Sequence, residues 1–148
     1  MKVVTDTNIP LEVFKKGKVR DVYGTNDNLL LIVTDRISAF DYVLAEPIPY
    51  KGVCLTQISR FWFDYFKDIV PNHVISAEVD DFPSEMNDYS DVLSGRSMLV
   101  KKAEVYPVEC IVRGYISGSA WKSYQEDGTV CGIKLPEDLK ESDKFDEP

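Results

Sequence analysis

Apolar residues along this chain first form an unbroken run, Leu29-Leu30-Leu31-Ile32-Val33, the pattern of a strand covered on both faces. Lys18 to Tyr23 is strand-like, and Gly24 to Asn28 is a turn cluster, so Leu11 to Arg36 reads as a β-meander. Pro47 and Pro49 break the chain before Gly52. Leu55, Ile58, Trp62, Phe66 and Ile69 then recur at three and four residues, predicting a helix with one buried stripe, Trp62 in the core and Pro71 as its stop. A short strand follows at 73–76, then a polar surface excursion from Asp80 to Gly95, then a strand from Arg96 to Glu104 through Met98-Leu99-Val100. Val108, Cys110 and Val112 alternate with Glu109, Ile111 and Arg113, which predicts a strand with Glu109 and Arg113 on one face. Gly118 frees a turn, and Ser119 stands as the N-cap of a short helix, Ala120 to Gln125. Gly128 to Ile133 reads as a glycine-bracketed turn and short strand, and beyond Pro136 no apolar periodicity remains. The fold class is α+β with a mostly antiparallel sheet.

Composition narrows the picture. With 148 residues, 44% of them hydrophobic and 11% aromatic, the chain can bury a core. Its net charge of −8 argues against a nucleic-acid surface, and the final fourteen residues hold six acids against two lysines. Cys54, Cys110 and Cys131 are odd in number and widely spaced, which suggests neither a disulfide framework nor a zinc site. No signal core and no run of membrane-span length is present, so a cytoplasmic protein is expected. His73, the one histidine, has no second ligand-type residue at metal-binding spacing and reads as structural.

Three short stretches carry candidate chemistry. Gly17-Lys18-Val19-Arg20 joins a flexible backbone point to two alternating cations, either a phosphate grip or a solvated hairpin; it lacks the spacing of a Walker A loop. Asp35-Arg36-Ile37-Ser38-Ala39-Phe40-Asp41 follows the apolar strand and reads as a functional loop or as a charged turn capped by Asp and Ser side chains. In the third stretch Glu109 and Arg113 are either a solvated ion pair on an edge strand or, with Ser119 and the helix start, an anion site. There a phosphate would take the Arg113 fork, the Ser119 hydroxyl and free backbone N–H groups.

Gly17 to Tyr23, Asp35 to Asp41, Gly52 to Gln57, Pro107 to Ser119 and Gly128 to Gly132 together resemble phosphoribosylaminoimidazole-succinocarboxamide synthase, the SAICAR synthetase family of purine biosynthesis. The Pro-Val-Glu-x-x-Val-Arg-x-x-x-x-Gly-Ser element at Pro107 to Ser119 is the most specific part of that resemblance. It implies a kinase-like N-terminal lobe and an ATP- and magnesium-dependent ligation of L-aspartate to carboxyaminoimidazole ribotide, through an acyl phosphate. It further implies that Gly17, Lys18, Val19 and Arg20 hold ATP phosphates, and that Lys102, Glu104 and Val105 belong to the hinge facing adenine. Arg113 and Ser119 would hold the ribose phosphate, and Arg36, Ser38 and Asp41 would line the substrate side. Glu109 and Asp35 would be catalytic, with Glu109 also the magnesium ligand.

The implied organisation is a nucleotide-binding lobe over 1–106, the start of a central substrate and ATP lobe over 107–135, and a poorly ordered acidic tail over 136–148. Members of the family continue past this point into a Thr-Pro-Ser/Ala-Thr-Lys stretch and a second signature, Asp-x-Lys-x-Glu-Phe-Gly, neither of which this sequence contains. The chain is thus expected to be a shortened amide ligase, acting on small molecules as a monomer or homo-oligomer. The alternative is a non-catalytic nucleotide-binding half-module that pairs with a separate C-terminal part. A kinase-like phosphotransferase acting on a hydroxyl is a third reading, which no His-Arg-Asp or Asp-Phe-Gly element supports.

Overall fold

The apolar run lies at the centre of a sheet, where Leu30 and Ile32 on one face lose all contact with solvent; the expected cover on both faces is not complete. The computed structural model describes residues 3–147. Three antiparallel strands form the meander: β1 (Glu12–Lys16), β2 (Arg20–Thr25) and β3 (Asn28–Val33). Thr25 pairs with Asn28, so the β2–β3 connection is a tight two-residue turn, with Asn26 at positive φ. A small hairpin follows, β4 (Ser38–Ala39) and β5 (Tyr42–Val43), and then helix α1 (Lys51–Tyr65). After β6 (Val74–Ser76) come two 3-10 segments, Val79–Asp81 and Ser84–Tyr89, the short helix α2 (Ser90–Leu93) and β7 (Ser97–Lys101). The five-stranded sheet has the order β1-β2-β3-β7-β6, with every pairing antiparallel.

Leu30, Ile32, Tyr23 and Leu99 line one face of this sheet and meet Ile9, Phe82, Met86 and Leu93. The segment expected as a surface excursion therefore helps to build the core. Phe82, Met86 and Leu93 within it are buried because 3-10 and α turns bring them to one side. On the other sheet face Leu29 and Leu31 are only half-buried.

The expected stripe on α1 is a second difference. Leu55, Ile58, Trp62, Phe66 and Ile69 are all exposed, Trp62 by 48%. The helix approaches the sheet through its small residues instead. Gly52 and Thr56 are its buried positions, and a Cβ on Gly52 would lie 2.2 Å from the Val33 carbonyl oxygen. That close seat turns the bulky apolar residues outward, where Phe61, Trp62, Tyr65 and Phe66 pack on one another. The helix ends at Tyr65, well before Pro71.

The chain divides into two units, Met1–Glu104 and Val105–Pro148. In the second, residues 105–113 adopt no regular structure, so the strand expected around Glu109 does not form. No strand among the described residues pairs with it, and an alternating pattern without a ladder partner has no backbone reason to be a strand. Helix α3 spans Ser119–Asp127, and the hairpin β8 (Thr129–Val130) with β9 (Ile133–Lys134) follows. The acidic segment, expected as poorly ordered, is tied to the body of this unit. Ile116 N–H donates to the Asp143 carbonyl at 3.0 Å, Ser142 N–H to Ile116 at 2.7 Å, and Phe145 N–H to Gly114 at 3.0 Å. Tyr124 adds a side-chain tie, its hydroxyl donating to the Pro136 carbonyl and accepting from Leu139 N–H. Backbone pairing substitutes here for the apolar burial that the segment lacks.

Candidate functional site

In the first unit the chemistry gathers where β1 turns into β2. Every carbonyl of the turn is engaged: Gly17 and Lys18 by Arg36, Val19 by Thr34, and Arg20 by the Gly17 N–H at 2.7 Å. The Lys18 and Val19 amides have no acceptor among the described residues. A Cβ at Gly17 would stand 3.0 Å from the Arg20 carbonyl oxygen, so glycine suits the tight closure. The result is a fixed turn with free amide donors and exposed cations, Lys18 and Arg20, beside them.

Arg36 organises this turn. Its Nε donates to the Lys18 carbonyl at 3.0 Å, and Nη2 to Gly17 at 3.0 Å. Nη1 reaches the Thr5 carbonyl at 2.6 Å, and Nη2 also pairs with Asp21 Oδ1 at 2.6 Å. Asp21 is fully buried and accepts a further bond from the Thr7 hydroxyl. With its donors turned to the protein, Arg36 acts on the loop from behind, a correction to its expected place among residues lining the substrate side.

Asp35 is likewise corrected. It is fully buried, and its carboxylate accepts from Val4 N–H, Gly52 N–H and Arg96 Nη1, at 2.9, 2.9 and 3.0 Å. Burial pushes its pKa up, but the Arg96 hydrogen bond and the two amides outweigh it and hold the carboxyl below its ordinary value. A carboxylate with no exposed surface and three donors in place is a structural hub, not a catalytic group.

The hairpin β4–β5 brings Asp41 back to the turn, where its carboxylate pairs with Lys18. The Lys18 hydrogen bond and charge hold the Asp41 carboxyl below its usual range. Ser38 sits on β4 opposite Val43. Lys51, at the start of α1, was not singled out by its sequence. Its Nζ is buried and has no hydrogen-bond partner among the described residues. Burial lowers its pKa, Asp35 opposes this, and Arg20 and Arg36 add to it. Lys102 lies over the Phe14 ring at 5.4 Å, and Glu104 and Val105 fall on either side of the boundary between the two units. Two clefts along α1, at Gln57, Arg60 and Phe61 and at Ile58, Trp62 and His73, are lined by none of the predicted site residues.

In the second unit Arg113 Nη2 donates to the Ser119 hydroxyl at 3.3 Å. Gly118, not Ser119, is the N-cap of α3, with φ 59°, and no side chain caps the helix. Ser119 is instead the first helical residue. The arrangement joins a guanidinium, a hydroxyl and an uncapped helix start, the chemistry that suits a phosphate. Glu109 is exposed on the irregular segment. Among the described residues no group of three or more His, Cys, Asp or Glu could hold a metal ion; magnesium is commonly held by one or two carboxylates together with substrate phosphates and water.

Asp21 and Arg96, which fix Arg36 and Asp35, escaped the reading of the sequence. Asp21 carries a faint signal, since Asp21, Tyr23 and Thr25 share the buried parity of β2. Arg96 carries none.

A five-stranded antiparallel sheet with one long helix on it, followed by a second unit in which Arg113 bonds Ser119, defines an α+β protein with a kinase-like N-terminal lobe. The family model for SAICAR synthetase matches residues 13–148, and the chain belongs to that family. It is 60% identical over 147 residues to the phosphoribosylaminoimidazole-succinocarboxamide synthase of Syntrophotalea carbinolica, covering 99% of this chain and 50% of that protein. The enzyme of the same name from Geotalea uraniireducens is 61% identical over 148 residues, with 99% and 50% covered. Among solved structures, the SAICAR synthase of Saccharomyces cerevisiae complexed with SAICAR superposes with TM-score 0.91 at 43% identity, covering 98% of this chain and 52% of that one. The chain thus spans about half the length of the curated relatives it matches. Among the described residues no helix is long and apolar enough to cross a membrane.

Proposed function

We propose that this chain provides the nucleotide lobe and the sugar-phosphate grip of an ATP-dependent amide ligase that joins L-aspartate to carboxyaminoimidazole ribotide. In that reaction the ribotide carboxylate takes the γ-phosphoryl group of ATP, releasing ADP, and the aspartate amine displaces phosphate to form the amide. The observation that carries the reading is the turn at Gly17–Arg20, whose carbonyls are all occupied while the amides of Lys18 and Val19 stay free. Phosphoryl transfer asks mainly for positioned donors and positive charge, which such a turn supplies.

In this reading Gly17 and Val19 shape the turn, and Lys18 and Arg20 neutralise the triphosphate. Lys18 can leave Asp41 for a phosphate at little cost, because their pair is exposed on both sides. Backbone at Lys102, Glu104 and Val105 meets adenine. Arg113 and Ser119 take the ribotide phosphate, Glu109 faces the imidazole carboxylate, and Ser38 and Asp41 belong to the substrate side. Asp35 and Arg36 support these residues from within.

A second reading, a nucleotide-binding half that pairs with a separate C-terminal part, is favoured by one observation. Val105, Tyr106, Val108, Ile111 and Val112 are all exposed on a segment without ladder partners. Incubating the chain with ATP, magnesium, aspartate and the ribotide, and measuring product beside nucleotide binding, tests both. Product formation supports the ligase, binding without product supports the half-module, and absence of nucleotide binding refutes both.

A further inference from the structure

Arg36 makes more bonds to the Gly17–Arg20 turn and its surroundings than charge balance requires. One guanidinium reaches three carbonyls, Thr5, Gly17 and Lys18, while gripping Asp21 with both Nη atoms, at 2.6 and 3.4 Å. Asp21 has no exposed surface, and the Arg36 side chain is only 17% exposed. A lysine at this position could keep the charge, but it could not satisfy a fork of this shape. The same turn is held from its other end by Thr34, whose N–H and hydroxyl both donate to the Val19 carbonyl, at 3.0 and 2.9 Å.

We infer that Arg36 is a positioning residue that draws the carbonyls of Gly17 and Lys18 onto the protein and so reserves the turn's free amides for the phosphates of a nucleotide. The inference rests on the nucleotide reading above and assigns Arg36 a part in it without contact to the ligand. A backbone that can flip its peptide planes would offer carbonyl oxygens to phosphate as often as amides, and like charges would repel. Fixing the carbonyls removes those states before ligand arrives. Arg36 also begins the loop that leads to Ser38 and Asp41, so one side chain ties the Lys18 turn to the hairpin that carries the Lys18 partner.

The test compares the full chain with its Arg36→Lys variant, which leaves a counter-charge for buried Asp21 and so preserves the fold. Two readouts are taken: amide hydrogen exchange and equilibrium binding of ATP against adenosine. The Gly17 and Thr34 amides, whose acceptors are the Arg20 and Val19 carbonyls, are expected to lose protection by about tenfold, while Leu30 and Ile32 on β3 keep theirs. ATP affinity is expected to fall by about tenfold with adenosine affinity unchanged, a split that general loosening would not produce. Unchanged protection at Gly17, or equal loss for ATP and adenosine, overturns the inference. Wild-type chain that binds ATP no tighter than adenosine overturns the nucleotide reading itself, a failure visible without the variant.

Discussion

Arg96 and Asp35, separated by 61 positions in the chain, meet as a buried ion pair at 3.0 Å. The pair joins the end of β3 to the start of β7, and the same carboxylate receives the Gly52 N–H at the start of α1. Removing one partner leaves an uncompensated buried charge, so Arg96→Met is expected to lower stability by about 3–5 kcal/mol in urea unfolding. Asp35→Asn should also destabilise, and it adds a pH signature. The Asp35 pKa in the folded chain lies below its ordinary 3.8. Its contribution is therefore full above about pH 4 and is lost as pH falls through the depressed value. Below pH 4 the stability of the wild type should fall more steeply with acid than that of Asp35→Asn; parallel slopes would mean that Asp35 is not held ionised by the fold.

Gly52→Ala tests the close seat of α1. The added Cβ would come within 2.2 Å of the Val33 carbonyl oxygen and 2.7 Å of Arg96 Nη1. Overpacking against backbone is expected to destabilise by about 1–3 kcal/mol or more, read as a lowered urea midpoint. An unchanged midpoint would place the helix farther from the sheet.

Trp62→Gln separates the two accounts of the α1 stripe. A buried tryptophan would cost about 3–5 kcal/mol on truncation, whereas a residue exposed by 48% should cost under about 1 kcal/mol in the same unfolding measurement.

The meander and the β7 strand were legible because mid-sheet strands favour continuous apolar side chains, which Leu29 to Val33 and Met98 to Val100 supply, although Leu29 and Leu31 are covered only in part. The stripe on α1 was legible as a pattern but not as a location. Periodicity shows which residues share a face, and Gly52 and Thr56 decided that a different face meets the sheet. The hydrogen bond between Arg113 and Ser119 follows from a spacing that brings the two side chains together across Gly118. The roles of Asp35 and Arg36 were not. Whether a charged loop residue is buried depends on partners far away in sequence, here Arg96 and Asp21, and nothing local to Asp35-Arg36 announces them.

Lys51→Met should stabilise the chain. Its buried Nζ lacks a partner among the described residues, and an unsatisfied buried polar group costs about 1–3 kcal/mol. A gain of that order in unfolding free energy is expected; a loss would mean that the ammonium is engaged in solution.

The most direct test of the account titrates the wild-type chain and two variants, Lys18→Ala and Arg113→Ala, with ATP and with the ribotide by calorimetry. A crossed pattern is expected: Lys18→Ala weakens ATP and spares the ribotide, while Arg113→Ala weakens the ribotide by about 1.5–3 kcal/mol and spares ATP. Equal losses of both ligands in either variant, or unchanged ribotide affinity in Arg113→Ala, would contradict it.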